Sequence, residues 1–168
     1  DLLLQVTPYV QISAGNRILR PGSYRVVYDQ YPNSGPLAGI HAALMNSTSP
    51  QQLMLACDMP LVTPALCKYL LRMAVSNDWD AVIPLDGNGR RQPLCGIYNR
   101  RLVKKAEQHL QQHQLRLNSF LDAAQVRFVH IHKNHVLYRP NQFLNANTPE
   151  NLKAINSIWP PNPSAKSG

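Results

Sequence analysis

Short apolar segments of strand length alternate along this chain with longer segments of helical periodicity. The clearest strand, Gln52 to Cys57, is almost continuously apolar, as strands buried on both faces of a parallel sheet are. The segment from Thr63 to Asn77 places apolar residues at three- and four-residue intervals, which predicts a helix that begins at a Thr63 cap. The alternation predicts an α/β fold with a mostly parallel sheet and helices on both faces.

The same patterns assign the rest of the chain. Further strands are predicted at residues 9–13, 25–28, 80–84, 93–98, 125–131 and, as a short last strand, 143–146. Further helices are predicted at residues 36–46, 101–114, 118–124 and 148–159. We expect residues 1–158 to form a single domain and the Pro- and Ser-rich residues 159–168 to be a disordered tail.

The composition restricts the class of protein. Of the 168 residues, 44% are hydrophobic and 15% are charged, a globular balance without the run of about 20 apolar residues that a membrane helix needs. We therefore expect a cytoplasmic protein without membrane partners. The net charge of +8 favours polyanionic ligands, but the basic residues are scattered, so nucleic acid is not expected as the main partner. Three cysteines without a CxxC pair predict buried or half-buried thiols.

A single acid follows the most apolar strand, in the segment LMLACDMPLVTPAL. In α/β sheets, ligands bind beyond the carboxyl ends of the strands, which is where Asp58 should lie. A carboxylate at that edge can bind Mg²⁺ together with substrate phosphates. The alternative is that Asp58 caps a turn before Pro60, and the residue alone does not decide between the two.

A second acid, Asp29, ends the strand RVVYD and is followed by the segment GPLAGI. Gly35 removes side-chain bulk before a turn, Pro36 suits the first position of a helix, and Gly39 allows a close approach to the helix. A helix N-terminus at the sheet edge offers free N–H groups to an anion. A plain helix start with small residues for packing is the alternative.

Taken in order, the segments VYD, GPLAGI, LMLACDMPLVTP, QPLCGIY and NANTPENL resemble the molybdenum cofactor guanylyltransferase (MobA) family of Rossmann-like nucleotidyltransferases. The resemblance runs from about residue 10 to residue 152. NANTPENL is more similar to the guanylyl branch, because the cytidylyl branch tends to have acids where Asn145 and Asn147 stand. The resemblance therefore implies a Rossmann-like nucleotidyltransferase fold.

The resemblance also implies a reaction, in which the terminal phosphate of molybdopterin attacks the α-phosphate of GTP and pyrophosphate is released. The substrates would be GTP and molybdopterin or its molybdenum-loaded form, and the partners molybdoenzymes or other cofactor-biosynthesis proteins. By the resemblance Asp58 is the catalytic acid and the Mg²⁺ ligand. The residues that match nucleotide-binding positions are Asn16, Arg17, Asp29, Gly35, Pro36 and Leu37. Asn145 and Asn147 match positions near the pterin, and Gln92 and Pro93 match a segment on the same edge.

The sequence departs from the family at its start. The family opens with a strand and a glycine-rich loop of the type LAGGxSxRMGxDK, and DLLLQV resembles the end of the helix that follows that loop. An opening strand, loop and helix of about 30–40 residues is therefore expected to be missing from this sequence. Buried backbone groups left unpaired cost about 1–3 kcal/mol each, so we expect these 168 residues alone to show little transferase activity.

Other functions fit parts of the sequence. A related transferase could use CTP or a sugar phosphate, and a binding module could retain the nucleotide site without catalysis. His130, His132 and His135 lack a nearby Cys or acid to complete a zinc site, so we interpret them as surface histidines. Cys95 lies in no nucleophile signature, which favours a packing role.

Overall fold

The computed structural model describes residues 2–15 and 24–158, and the predicted tail lies outside these ranges. The strands are Gln11–Ser13 (β1), Arg25–Val27 (β2), Gln51–Leu55 (β3), Ala81–Leu85 (β4), Cys95–Asn99 (β5) and Val126–His130 (β6). The helices are Pro36–Met45 (α1), Pro64–Val75 (α2), Val103–Gln111 (α3), Leu117–Asp122 (α4) and Pro149–Ile158 (α5). Each lies where the sequence predicts it, within a few residues. The predicted strand at residues 143–146 is wrong, because these residues form a loop.

Four strands form the main sheet in the order β3-β5-β4-β6. β4 and β6 are parallel, whereas β5 is antiparallel to both β3 and β4, so three strands share one direction and the sheet is mixed. β1 and β2 form a separate parallel pair. The prediction of a mostly parallel sheet did not account for the antiparallel direction of β5. This strand follows β4 after a turn without a helix. A parallel neighbour would need a longer crossover connection.

The sheet direction brings the ends of several strands to one edge. Leu55 at the end of β3 pairs with Cys95 at the start of β5, and Leu85 at the end of β4 pairs with His130 at the end of β6. The segments that follow β3, β4 and β6 and the segment that precedes β5 therefore leave the sheet at the same edge. We call this the ligand edge.

Helices cover both faces of the main sheet because the side chains of its central strands alternate. Ala81, Ile83 and Tyr98 pack with α1, α3 and α4 on one face. Val82 and Ile97 pack with α2 on the other face. All five residues are at most 2% exposed, so β4 and β5 form the centre of the core. The predicted arrangement of helices on both faces is confirmed.

Local chemistry fixes where the helices begin. The Thr63 hydroxyl accepts a hydrogen bond from the Leu66 N–H at 3.3 Å, and Pro64 takes the first helical position of α2, as predicted. Thr148 caps α5 in the same way, accepting from the Asn151 N–H at 3.2 Å. None of the described helices is long and apolar enough to cross a membrane.

Candidate functional site

Asp58 lies three residues after β3, at the ligand edge. Its carboxylate Oδ2 accepts a hydrogen bond from Asn145 Nδ2 at 3.1 Å, and its backbone carbonyl accepts one from the Ala146 N–H at 2.7 Å. Its other carboxylate oxygen, Oδ1, is buried and has no hydrogen-bond partner among the described residues. A buried charged oxygen without a partner is costly, and such atoms usually mark a missing ligand or ion.

The unpartnered Asp58 Oδ1 is the atom to which the cation implied by the resemblance would bind. Among the described residues, no group of three or more His, Cys, Asp or Glu side chains could hold a metal. Mg²⁺, however, commonly takes one or two carboxylates and completes its shell with water and substrate phosphates. Asp58 Oδ1 fits that second kind of site.

The segment NANTPENL is held in place by its own amides. Asn151 Nδ2 donates to the Asn145 carbonyl at 2.9 Å and to Asn147 Oδ1 at 3.3 Å. The cap at Thr148 fixes Asn151 in the first turn of α5. The start of this helix therefore sets the position of Asn145 against Asp58, while Asn147 is exposed beside it.

Asp29 lies just after β2, in contact with β1 and α1. Ser13 Oγ donates to its carboxylate at 3.3 Å. A Cβ on Gly39 would lie 2.9 Å from Ser13 Oγ and 4.0 Å from Asp29 Oδ1, so the close approach predicted for Gly39 is to β1. Burial raises the pKa of Asp29 above its ordinary value, against the opposing effects of the Ser13 hydroxyl and of His41.

The start of α1 exposes backbone rather than side chains. Gly35 has a φ of +66°, and a Cβ there would meet nothing within 4 Å, so glycine is needed for its backbone conformation and not to remove bulk. No side chain caps the helix, and Pro36 occupies its first turn. Leu37, the third predicted residue of this segment, is fully buried, backbone included.

Two cavities meet at Asp58 and Asn145. The first, which we call the apolar groove, has a volume of about 880 Å³, lies between β1 and β3, and is lined by Ser13, Pro36, Gly39 and Asp58 among others. The second, which we call the polar cleft, has a volume of about 760 Å³ and is lined by residues of the 86–92 turn and the 131–145 loop, including Asn145. The Asp58–Asn145 hydrogen bond thus joins the walls of the two cavities.

The remaining predicted residues are distributed as follows. Asn16 and Arg17 lie outside the described residues. Gln92 lines the polar cleft, and its Nε2 donates to Asp86 Oδ2 at 3.3 Å. Pro93 is in the lining of neither cavity, and its carbonyl accepts a hydrogen bond from the Tyr98 hydroxyl at 2.7 Å. The structure therefore brings Asp58, Asn145 and Gln92 to one region.

Two buried polar residues, one on α1 and one in the polar cleft, carried no recognisable signal in the sequence. His41 is fully buried on α1, and neither ring nitrogen has a hydrogen-bond partner among the described residues. Burial lowers its pKa, while Glu107 and Asp29 act in the opposite direction. Gln142 is 2% exposed in the lining of the polar cleft. Neither residue belongs to a motif, so only the folded chain identifies them.

The cysteines differ in exposure. Cys57, beside Asp58, is exposed, so the expectation of buried or half-buried thiols is wrong at this position. Cys67 and Cys95 are buried, and burial raises the pKa of Cys67 to about 11 and that of Cys95 further still. A thiol that stays protonated is a poor nucleophile, which supports the packing role for Cys95.

Comparisons with known proteins show the following similarities. The family model described as "MobA-like NTP transferase domain" matches residues 2–128. A probable molybdenum cofactor guanylyltransferase of Bacillus licheniformis is 34% identical over 86% of this chain and 73% of its own length. One of Pelotomaculum thermopropionicum is 34% identical over 90% of this chain and 73% of its own length. The crystal structure of molybdopterin-guanine dinucleotide biosynthesis protein A from Archaeoglobus fulgidus has a TM-score of 0.72 and 26% identity, covering 82% of this chain and 69% of that one.

Proposed function

The chain belongs to the MobA-like NTP transferase family, and we propose that it is a guanylyltransferase of molybdenum cofactor biosynthesis. It would transfer GMP from GTP to molybdopterin or to the molybdenum-loaded cofactor, in the cytoplasm. The substrates follow from the names of its relatives and from the guanylyl-type segment NANTPENL.

The observation that carries the proposal is the position of Asp58. It lies where an apolar groove and a polar cleft meet, and one of its carboxylate oxygens is buried without a partner. A transferase must bring two polyanionic substrates together, and the point of transfer must lie between their two sites. Asp58 would lie at such a point, between the apolar groove and the polar cleft.

In the proposed reaction, an oxygen of the acceptor's phosphate forms a bond to the α-phosphorus of GTP. The bond between that phosphorus and the oxygen bridging to the β-phosphate breaks, and pyrophosphate leaves with the bridging oxygen. No protein atom forms a covalent bond. The protein's contribution is to align the two phosphates and to offset their charge.

The described residues divide this work between the two sides of Asp58. Asp29, Gly35 and Pro36 would line the nucleotide site, where the positive end of the α1 dipole favours phosphate. Leu37 is fully buried and would contribute by fixing the start of this helix. Asn145, with Asn147 beside it, would border the acceptor. Asp58 Oδ1 would hold a divalent cation such as Mg²⁺, which would neutralise phosphate charge when bound.

The test is to incubate the protein with GTP, Mg²⁺ and molybdopterin and to measure pyrophosphate and the guanine dinucleotide product by mass spectrometry. CTP and a sugar phosphate serve as alternative substrates. Of these substrates we expect product only with GTP and molybdopterin, at the low rate expected of these 168 residues. Asp58→Asn should lower that rate by about a further hundredfold or more, because a carboxylate that would bind the metal is lost. Asp78→Asn, which changes an exposed acid in neither cavity lining, is the matched control. Faster turnover of CTP, or binding of GTP without pyrophosphate release, would refute the proposal.

A further inference from the structure

The polar cleft carries an excess of positive charge that the protein does not use internally. Arg90, Lys133 and Arg139 line it and are exposed, and none of them forms an ion pair with a residue that the structure describes. The acid in the lining, Asp86, is occupied: its Oδ1 accepts from the backbone N–H groups of Asn88 and Arg90, both at 2.9 Å. The cleft is therefore suited to an anionic ligand.

Gln142 gives this cleft a second kind of specificity. Gln142 is a lining residue of the cleft and is 2% exposed, yet neither Nε2 nor Oε1 of its side chain has a hydrogen-bond partner among the described residues. A buried amide normally satisfies both its donor and its acceptor, because an unpaired buried polar group costs about 1–3 kcal/mol. An amide left open beside a cavity indicates that a ligand supplies the missing partners.

The chemistry of an amide defines that ligand. A carboxamide offers an N–H donor and a C=O acceptor side by side, which pair with the N–H and C=O of a cyclic amide. The pyrimidine ring of a pterin carries such an edge, and so does guanine. Tyr138, which lines the same cleft, offers an aromatic face to a flat ring.

We propose that Gln142 recognises the cyclic amide edge of the acceptor's pterin ring, in the polar cleft that would border the acceptor in the proposed function. Lys133 and Arg139 then attract the phosphate toward Asn145, whose hydrogen bond to Asp58 marks the transfer point. This inference rests on the proposed function and adds to it the residue that selects the acceptor. The choice of pterin over guanine follows from position, because the nucleotide-binding residues lie across Asp58 on the side of α1.

The experiment measures binding of two probes to the protein and its variants. The phosphate ester of a hydroxymethylpterin, followed by its fluorescence, represents the acceptor, and Mg²⁺–GTP, followed by calorimetry, represents the donor. For Gln142→Leu we expect the Kd of the pterin phosphate to rise at least about tenfold, since two hydrogen bonds are lost. The Kd of GTP should change by less than about twofold.

Two further variants keep the test informative if Gln142→Leu does not fold. Lys133→Ala and Arg139→Ala alter exposed residues and should weaken the pterin phosphate but not the unphosphorylated pterin. Lys68→Ala, an exposed lysine of α2 outside both cavity linings, is the charge-matched control and should change neither affinity.

The outcomes separate this inference from the proposed function. If the wild-type protein binds no pterin phosphate, or if none of the cleft variants affects it, the inference is overturned even where GTP is still turned over. If Gln142→Leu weakens GTP and spares the pterin, the cleft holds guanine and the inference is also overturned. Failure of the GTP arm alone, with the pterin effects as expected, counts against the transferase assignment only.

Discussion

Replacing Gly39 with alanine tests the closest approach between α1 and β1. The new Cβ would lie 2.9 Å from Ser13 Oγ, closer than side-chain carbons normally approach an oxygen, and 3.8 Å from Ser13 Cβ, an ordinary contact. Two adjustments can relieve the overlap. Ser13 can rotate and lose its 3.3 Å hydrogen bond to Asp29, or β1 can move away from α1.

The expected free energies follow from these two adjustments. Losing the hydrogen bond costs about 1 kcal/mol, and moving packed elements apart costs about 1–3 kcal/mol. Alanine is also favoured over glycine inside a helix by about 1 kcal/mol, which offsets part of the cost. The cost of the lost hydrogen bond and the gain in helix propensity nearly cancel, so we expect Gly39→Ala to change the free energy of unfolding by less than about 1 kcal/mol.

Removing the Ser13 hydroxyl should leave only the stabilising contribution of alanine. In a Ser13→Ala background the nearest remaining side-chain atom is at 3.8 Å, so Gly39→Ala should raise the free energy of unfolding by about 1 kcal/mol through helix propensity alone. Urea unfolding followed by circular dichroism measures all four proteins of the cycle. Equal effects of Gly39→Ala in the two backgrounds would refute the contact between α1 and β1.

Three further predictions concern buried and packed groups. Because the pKa of Asp29 is raised, the folded state holds its proton more tightly than the unfolded state, and Asp29 lowers stability as the pH rises above the ordinary pKa of 3.8. Asp29→Asn should therefore raise the Tm at pH 7 and not at pH 3. An unchanged Tm at pH 7 would contradict this. The pKa of His41 is lowered, so the unfolded state takes up the proton first as the pH falls below 6.5. The wild type should therefore lose stability between pH 7 and pH 5, while His41→Phe should not. Thermal melts of the two proteins should diverge over this range, and parallel melts would disprove the prediction. A Cβ on Gly96 would lie 2.5 Å from Ile83 Cδ1 and 3.1 Å from the Val82 carbonyl, so Gly96→Ala should lower the free energy of unfolding by about 1–3 kcal/mol, and a urea midpoint equal to that of the wild type would argue against this packing.

Much of the fold was predictable because its signals are local. The apolar run before Asp58 predicted β3, and the Thr63-Pro64 pair predicted the start of α2. The direction of β5 was missed because strand direction depends on the connection, and the turn between β4 and β5 is too short for a parallel crossover. The predicted strand at residues 143–146 failed because the Ala146 N–H bonds to the Asp58 carbonyl instead of to a neighbouring strand.

The candidate site could be predicted only in part. Asp58 and Asn145 could be predicted from the family resemblance, and the structure joins them by a hydrogen bond, while their roles stay predictions. Gln142 could not, because a glutamine in a loop is normally exposed and its burial depends on how the 131–145 loop folds back against the 86–92 turn. The sequence predicted that Gly35 is needed because a side chain would not fit before the turn. The structure shows instead that its positive φ is what requires glycine.

The proposed function requires a cation that binds both Asp58 Oδ1 and a phosphate of the nucleotide. Crystals grown with GTP and Mn²⁺, a scattering substitute for Mg²⁺, would locate the ion by its anomalous signal. We expect one ion within about 2.0–2.2 Å of Asp58 Oδ1, shared with a phosphate oxygen of the nucleotide. An ion held elsewhere with the nucleotide in place, or none at all beside Asp58, would contradict it.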